Sequence, residues 1–329
     1  MKARFPRRLT TWAYTAGWAV VRGLPEPVAR GLFQLGADVA WRRNSRGVRR
    51  LTGNLRRVAG PELPEPELRL LVRAGMRSYA RYWLEVFRLP VMSHDRIVSG
   101  ARVVNSEVLF EAHAAGRGVV VALPHTGNWD HAGAWAVLVG MPFTTVAERL
   151  EPAALFDRFV AYRVALGMEV LPLTGGERPP FDVLAERLRS GRLVCLLGDR
   201  DLSKRGIEVS FFGGRTRMPA GPALLAIRTG APLVPATLSY AGRDWGIRVH
   251  DPIPVPVAGS TTAKVTTMTQ RLADAFAAGI AEHPQDWHML QRLWLDDLRS
   301  GDPRGLPAGD HSAGQAAGHA AGQGAGQAG

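Results

Sequence analysis

Cysteine is nearly absent from this 329-residue chain, since Cys195 is the only one. An internal disulfide framework and a metal site built from several cysteines are therefore excluded. Cys195 lies in the apolar run "LVCLLG", which predicts a buried structural thiol rather than a nucleophile. The chain also lacks a G-x-S-x-G segment, so nothing indicates a serine nucleophile on a strand-to-helix turn.

Acidic residues are scarce in the first part of the chain. Residues 1–57 contain 13 Lys and Arg but only two acids, a net charge of +11. The remaining 28 basic and 27 acidic residues almost cancel. A basic segment attached to a nearly neutral body predicts contact with an anionic surface, either membrane lipid or nucleic acid.

No long apolar run occurs in this basic segment. In "RRLTTWAYTAGWAVVRGLP" only 13 residues separate Arg8 from Arg22, which is too short to cross a bilayer. Trp and Tyr between basic flanks are typical of a helix that lies among lipid headgroups. An amphipathic helix packed on its own domain is the alternative. Because nothing downstream resembles a nucleic-acid-reading module, we expect residues 1–57 to contact an anionic membrane surface and not nucleic acid.

Three regions follow one another along the chain. Residues 1–95 have a basic, helical pattern and form the predicted membrane-associating region. Residues 96–300 alternate short apolar strands with helices, which predicts an α/β fold with a mostly parallel central sheet flanked by helices. Residues 301–329 consist largely of Gly, Ala and Gln, and we expect a disordered tail.

Polar segments directly follow the predicted strands: "PHTGNWD", "AERLEP", "LTGGERP" and "GDRDLSKRG". In open sheets of this kind, ligands bind beyond the carboxyl ends of the strands. We therefore treat Asn128, Arg149, Asp199 and Asp201 as candidate substrate-binding residues. A carboxylate from the last segment could make a second contact to His125 or hold a substrate hydroxyl.

His125 and Asp130 form the strongest catalytic candidate. They cannot meet on one continuous helix, where a spacing of five residues points them about 140° apart. Pro124 and Gly127 instead predict a turn after the strand "VVVALP", with Asp130 in the first turn of the next helix. From there Asp130 could reach one ring nitrogen of His125 and leave the other for a substrate, as a general base requires. Alternatively, Thr126 or Asn128 caps the helix, Asp130 complements its dipole and His125 is a loop residue.

A metal site is the other interpretation of "HTGNWDH". His125, Asp130 and His131 could ligate a metal in a metal-dependent hydrolase, but no downstream His/Asp cluster completes the coordination. We therefore expect no metal. A histidine and aspartate without a nucleophile of their own suggest that the substrate supplies one, such as a hydroxyl that attacks an activated acyl group.

Arg163 falls on an apolar stripe of the helix predicted over residues 152–167. An arginine there needs a partner, and an anionic substrate group is one candidate. A snorkelling arginine, or one that interacts with the helix C-terminal dipole, is the alternative.

Taken together, four ordered segments over about residues 5–300 resemble the lysophospholipid acyltransferase superfamily with its H-x4-D motif. The likeness is greatest to the bacterial lipid A and phosphatidylinositol mannoside acyltransferases. "HTGNWD" is similar to the first motif of the family and "AERLEP…FVAYRVALGMEVLPL" to the second, while the third and fourth lie within "GDRDLSKRGIEVSFFGGRTRMPAGPALLAIRTGAPLVPA".

The resemblance implies a peripheral enzyme on the cytoplasmic face of the cell membrane. It implies His125 as the base, Asp130 as its orienting partner and Arg163 as the arginine that binds a substrate phosphate. It further implies an acyl-CoA or acyl-ACP donor without other cofactors. We expect acyl-CoA as the co-substrate, and transfer of a palmitoyl group to a mannose hydroxyl of a phosphatidylinositol mannoside. A lipid A-type, other glycolipid or lysophospholipid acceptor is the alternative within the family.

Overall fold

The computed structural model describes residues 21–148, 153–201 and 205–299. The basic residues 1–20, Arg149 and the tail predicted over 301–329 lie outside them. The described chain contains the helices α1 (Glu26–Arg42), α2 (Arg46–Ala59), α3 (Glu65–Arg88), α4 (His94–Ser99), α5 (Glu107–Ala114), α6 (Trp129–Leu138), α7 (Ala153–Ala165), α8 (Pro180–Arg189), α9 (Gly221–Thr229), α10 (Thr261–Glu282) and α11 (Leu295–Arg299). Its strands are β1 (Ala101–Val104), β2 (Val119–Leu123), β3 (Phe143–Ala147), β4 (Glu169–Pro172), β5 (Leu193–Leu197), β6 (Ile207–Phe211), β7 (Gly214–Met218), β8 (Leu233–Ala241) and β9 (Asp244–Val249).

Seven strands form one sheet in the order β1-β9-β8-β2-β5-β3-β4. Strands β8, β2, β5, β3 and β4 run parallel to one another, whereas β9 is antiparallel to β8 and pairs in parallel with β1. The prediction of an α/β fold with a mostly parallel sheet is confirmed. The antiparallel hairpin β6–β7 was not predicted, because its strands alternate polar and buried residues and "FFGG" between them indicates only a turn.

The central strands are continuous apolar runs because both faces of the sheet are covered. Val120 and Ala122 of β2 belong to one buried cluster with helices α8, α9 and α10. Val119 and Val121 belong to another with helices α3, α5, α6 and α7. The alternation of side chains along β2 thus fills two separate cores, and the sheet can present polar groups only at its edges.

The helices begin and end where the sequence supplies the appropriate groups. The Ser93, Asn128 and Ser260 side chains accept a hydrogen bond from the first turn of α4, α6 and α10 respectively. Gly230 ends α9 in the left-handed conformation that glycine adopts most easily. Among the helices described above, none is both long and apolar enough to cross a bilayer.

Candidate active site

His125 lies at the carboxyl edge of the sheet, in the turn that joins β2 to α6. Pro124 ends the strand, and Gly127 has a φ of 53°. A Cβ atom at Gly127 would lie 2.9 Å from the backbone carbon of Leu238 in the neighbouring strand β8, so the turn requires glycine. The backbone therefore fixes the histidine directly above the end of β2.

The ring of His125 is held by Asp199, which follows the adjacent strand β5. Its Nδ1 donates to Asp199 Oδ1 at 2.5 Å. The backbone N–H of His125 donates to Asp199 Oδ2 at 3.0 Å, and so does Nε1 of Trp287. The sequence left a contact from Asp199 to His125 open as one possibility, and the structure contains it.

Asp199 is fully buried but remains suited to a negative charge. Burial raises its pKa, yet the nearby charge of His125 and the hydrogen bonds from His125 and Trp287 outweigh burial, so the pKa lies below its ordinary value. A carboxylate in this position fixes the protonated nitrogen of the imidazole and stabilises an imidazolium when one forms.

The second ring nitrogen of His125 is available for chemistry. Nε2 is buried and has no hydrogen-bond partner among the described residues. Trp129, the first residue of α6, packs edge-on against the ring at 5.6 Å between centroids. An imidazole with one nitrogen fixed by a carboxylate and the other unpaired has the arrangement that a general base needs.

Asp130 does not pair with His125, and that expectation was wrong. Its Oδ1 accepts from Arg163 Nε at 2.7 Å, and its Oδ2 accepts from the hydroxyl of Tyr82 at 2.9 Å. Asp130 does lie in the first turn of α6, as predicted, but its side chain points into the core between α3 and α7. The position of Asp130 in the first turn of α6 therefore did not fix the direction in which its carboxylate points.

Arg163 is correspondingly engaged inside the protein. It is 7% exposed, and its guanidinium holds both oxygens of Asp130. Burial lowers the pKa of Arg163, but the charge and hydrogen bonds of Asp130 raise it by a larger amount. The pKa of Arg163 therefore lies above its ordinary value. The structure therefore gives Arg163 a carboxylate partner within the fold, whereas the sequence suggested a substrate phosphate or the helix dipole.

Asn128 and His131 have structural roles in the same turn. Asn128 caps α6 by accepting from the backbone N–H of His131 at 2.9 Å, and its amide donates to Glu85 Oε2 at 2.7 Å. His131 is completely buried and stacks on Trp245 at 3.8 Å. Burial lowers the pKa of His131 to about 3, so this ring is neutral.

The segment after β5 carries a second set of polar groups. Arg200 is 3% exposed, and its Nε and Nη2 have no hydrogen-bond partner among the described residues. Burial lowers its pKa, while the charges of Asp199, Glu148 and Asp201 oppose this effect. Asp201 is partly exposed, and its backbone N–H donates to the carbonyl oxygen of Arg217.

The C-terminal segment completes the site, which local sequence patterns did not reveal. The backbone N–H of His288 donates to the carbonyl oxygen of His125 at 2.8 Å. The hydroxyl of Ser78 donates to Asp286 at 2.7 Å and lies 3.0 Å from Nε2 of His288. Because the Ser78 hydroxyl donates its proton to Asp286, its oxygen accepts a hydrogen bond from Nε2 of His288. The other ring nitrogen of His288, Nδ1, has no partner among the described residues. Burial and the charge of His125 lower the pKa of His288 to about 3. The "DWHM" segment offered the only signal, a histidine and a tryptophan without an evident partner.

An apolar cavity extends into the core from the junction of β2 and α6. It encloses about 760 Å³ between atoms, part of it open to solvent. Trp129 and Trp135 both line it, as do Leu123, Cys195 and Leu238. Burial raises the pKa of Cys195 to about 12, so this thiol is part of an apolar wall.

No group of three His, Cys, Asp or Glu side chains suited to a metal ion occurs in the described part of the chain. Around His125, the nearest carboxylate, Asp199, is bonded to the ring and to Trp287, and Asp130 is bonded to Arg163 and Tyr82. The polar groups at the sheet edge are thus arranged for proton transfer rather than for convergence on one point.

Curated relatives extend over most of the chain. A protein from Mycolicibacterium smegmatis named phosphatidylinositol mannoside acyltransferase is 53% identical over 292 residues, which cover 88% of this chain and 93% of the relative. A protein of the same name from Mycobacterium tuberculosis is 51% identical over 302 residues, 89% of this chain and 90% of the relative. The model of the bacterial lipid A biosynthesis acyltransferase family matches residues 1–296, and the chain belongs to that family.

Proposed function

We propose that this protein transfers a long-chain acyl group from acyl-CoA to a mannose hydroxyl of a phosphatidylinositol mannoside. The observation that carries the proposal is His125, whose Nδ1 is fixed by Asp199 and whose Nε2 is unpaired beside an apolar cavity. Two relatives that match 88% and 89% of this chain at 53% and 51% identity are named phosphatidylinositol mannoside acyltransferase.

The reaction needs no nucleophile from the protein. Nε2 of His125 takes the proton from the acceptor hydroxyl as its oxygen attacks the thioester carbonyl. The C–S bond then breaks, and the imidazolium returns the proton to the departing thiolate. Asp199 stabilises the imidazolium between these two proton transfers.

The oxyanion of the tetrahedral intermediate needs donors close to His125. The backbone amides of Thr126 and Gly127 bond to carbonyls, and that of His131 bonds to the Asn128 cap. The amides of Trp129 and Asp130, at the positive end of α6, have no acceptor within the described residues. We assign oxyanion stabilisation to these two amides.

The cavity lined by Trp129 and Trp135 binds the acyl chain in this proposal. Its lining is almost entirely apolar, which suits an alkyl chain and excludes the sugar. The mannose therefore approaches from the sheet edge, where Asp201 and the buried guanidinium of Arg200 supply polar groups.

Location and partners follow from the substrates. We propose that the protein acts as a peripheral enzyme on the cytoplasmic face of the cell membrane, held partly by the basic residues 1–57, and that acyl-CoA is its only co-substrate. The charge of +11 in that segment supports attraction to anionic lipid.

Incubation with radiolabelled palmitoyl-CoA and a panel of lipid acceptors tests the proposal. We expect acylation of phosphatidylinositol mannoside, with phosphatidylinositol, a lysophospholipid and a lipid A precursor as comparison acceptors. A preference for another acceptor would support the acyltransferase activity but assign a different substrate. His125→Ala should abolish transfer while leaving acyl-CoA binding intact. Near-normal turnover by this variant, or hydrolysis that requires a metal, would contradict the proposal.

A further inference from the structure

A second, polar cavity lies between α1, α3 and the β8–β9 turn. It encloses about 790 Å³ between atoms, partly open to solvent. Four arginines and two glutamates are among the residues that line it: Arg30, Arg88, Arg96, Arg243, Glu26 and Glu85. It shares no lining residue with the apolar cavity beside His125.

This polar cavity opens near the catalytic edge of the sheet. Strand β8 runs parallel to β2, so the turn after Ala241, which contains Arg243, lies at the same edge as His125. The back wall is directly connected to the catalytic turn, because Glu85 accepts from both Asn128 and Trp245 at 2.7 Å. A ligand in this cavity would lie beside the entrance to the active site.

Charge pairing leaves two arginines in the cavity without a carboxylate partner. Glu85 is bonded by Arg81, Glu26 by Arg30 at 2.8 Å, and Arg96 bonds to Asp244 at 2.8 Å.

The two remaining arginines are Arg88 and Arg243. Arg88 donates only to the backbone carbonyls of Val21 and Leu24, and the Arg243 side chain makes no hydrogen bond or ion pair with a described residue. The pKa of Glu26 is lowered most by the hydrogen bond from Arg30, and the positive charges of Arg243 and Arg88 lower it as well. The cavity thus has an excess of positive charge suited to a phosphodiester.

An exposed apolar side chain lies at the opening. Val91, which lines the cavity itself, is 59% exposed. Apolar groups beside a cationic cavity match the boundary between acyl chains and headgroups in a bilayer.

We propose that this cavity binds the phosphate of an anionic phospholipid and thereby holds the catalytic edge of the sheet against the membrane. Arg243 and Arg88 contact the phosphate, while Val91 enters the outer part of the acyl layer. Binding orients the enzyme so that a lipid acceptor can reach His125 without leaving the bilayer. The inference concerns membrane binding and does not depend on which acceptor is acylated.

The test compares two charge reversals in the full-length protein, Arg243→Glu and Arg117→Glu. Both arginines are exposed and make no side-chain hydrogen bond or ion pair with described residues, but Arg117 precedes β2 and lies at the opposite edge of the sheet. Sedimentation with phosphatidylinositol-containing vesicles at about 0.15 M salt measures binding. We expect Arg243→Glu to lower the partition constant about tenfold, because two units of charge change beside the headgroup, and Arg117→Glu to lower it less than twofold. Equal losses would show diffuse attraction and overturn the proposal.

Two further measurements identify the source of the phosphate. Vesicles of phosphatidylcholine alone should bind both variants and the unaltered protein equally weakly. Glycerophosphoinositol, a soluble headgroup, should compete with vesicles for the unaltered protein, whereas inorganic phosphate at the same concentration should not. Competition by both would indicate a free-phosphate site and contradict the lipid assignment. None of these measurements requires turnover, so their outcome is independent of the acyl-transfer assay.

Discussion

At the residue scale, two carboxylates near His125 have distinct functions that their positions in the sequence do not reveal. Asp199, which follows the neighbouring strand β5, binds the ring of His125. Asp130, in the first turn of α6, instead binds Arg163 and Tyr82. The motif singled out His125 as a candidate base but suggested Asp130 as its orienting partner, whereas the structure pairs His125 with Asp199. The partner is set by the adjacency of β2 and β5, which no local pattern encodes.

Asp199→Asn should leave the fold intact and reduce kcat about 10²- to 10⁴-fold, because an amide can neither fix the correct imidazole tautomer nor stabilise imidazolium. Steady-state rates with palmitoyl-CoA measure the loss, and circular dichroism verifies the fold. Asp182→Asn is the matched control, since Asp182 forms an exposed ion pair with Arg228 at the protein surface. A loss below tenfold for Asp199→Asn would remove this residue from the catalytic pair.

Arg163→Met should destabilise the protein by about 3–5 kcal/mol, because it leaves Asp130 as a buried charge without its cation. Urea unfolding measures the change. Arg178→Met removes an arginine from an exposed pair and should leave stability nearly unchanged. Asp130→Asn combined with Arg163→Met should recover part of the stability. If Arg163→Met instead leaves stability unchanged and raises KM for the acceptor, the substrate-binding role indicated by the sequence would be correct.

At the element scale, β2 and the helix that follows it organise the whole site. The turn at their junction places His125 at the sheet edge, the first turn of α6 supplies the amides, and the rest of α6 forms one wall of the apolar cavity. This strand and helix could be predicted from the sequence because their patterns of apolar residues are pronounced. The sequence did not reveal the contacts to α3 and to the "DWHM" segment, which depend on packing between residues more than 40 positions apart.

Ala136→Leu should shorten the acyl chain that the enzyme prefers. Ala136 lines the cavity two turns into α6, away from His125, so a larger side chain there reduces the depth of the cavity. We expect kcat/KM for palmitoyl-CoA to fall about tenfold relative to decanoyl-CoA. Unaltered turnover of decanoyl-CoA serves as the internal control, and an equal loss for both donors would indicate general misfolding rather than a change in depth.

At the scale of the whole molecule, positive charge is distributed unevenly along the chain. The α/β body is nearly neutral, and the excess of positive charge lies in residues 1–57. This asymmetry could be read from the sequence by counting alone. The polar cavity between α1, α3 and the β8–β9 turn could not, because its arginines come from four segments brought together only by the fold.

Binding of the whole protein to anionic vesicles should be strongly salt-dependent. We expect tight binding to phosphatidylglycerol vesicles at about 0.05 M salt and a large decrease at about 0.5 M, because counterions screen the attraction of the basic segment. Co-sedimentation over a salt series measures this, with phosphatidylcholine vesicles as the neutral control. Binding that is strong and independent of salt would assign attachment to apolar insertion instead.

The contacts of Trp287 and His288 have a consequence for synthesis of the protein. His125 and Asp199 leave the ribosome well before the segment that binds them, and Trp287 closes the last hydrogen bond to Asp199. A nascent chain can therefore form the β2–β5 pair while its catalytic carboxylate still lacks one of its three donors. We therefore expect acyl transfer to begin only after the segment that carries Trp287 and His288 has emerged.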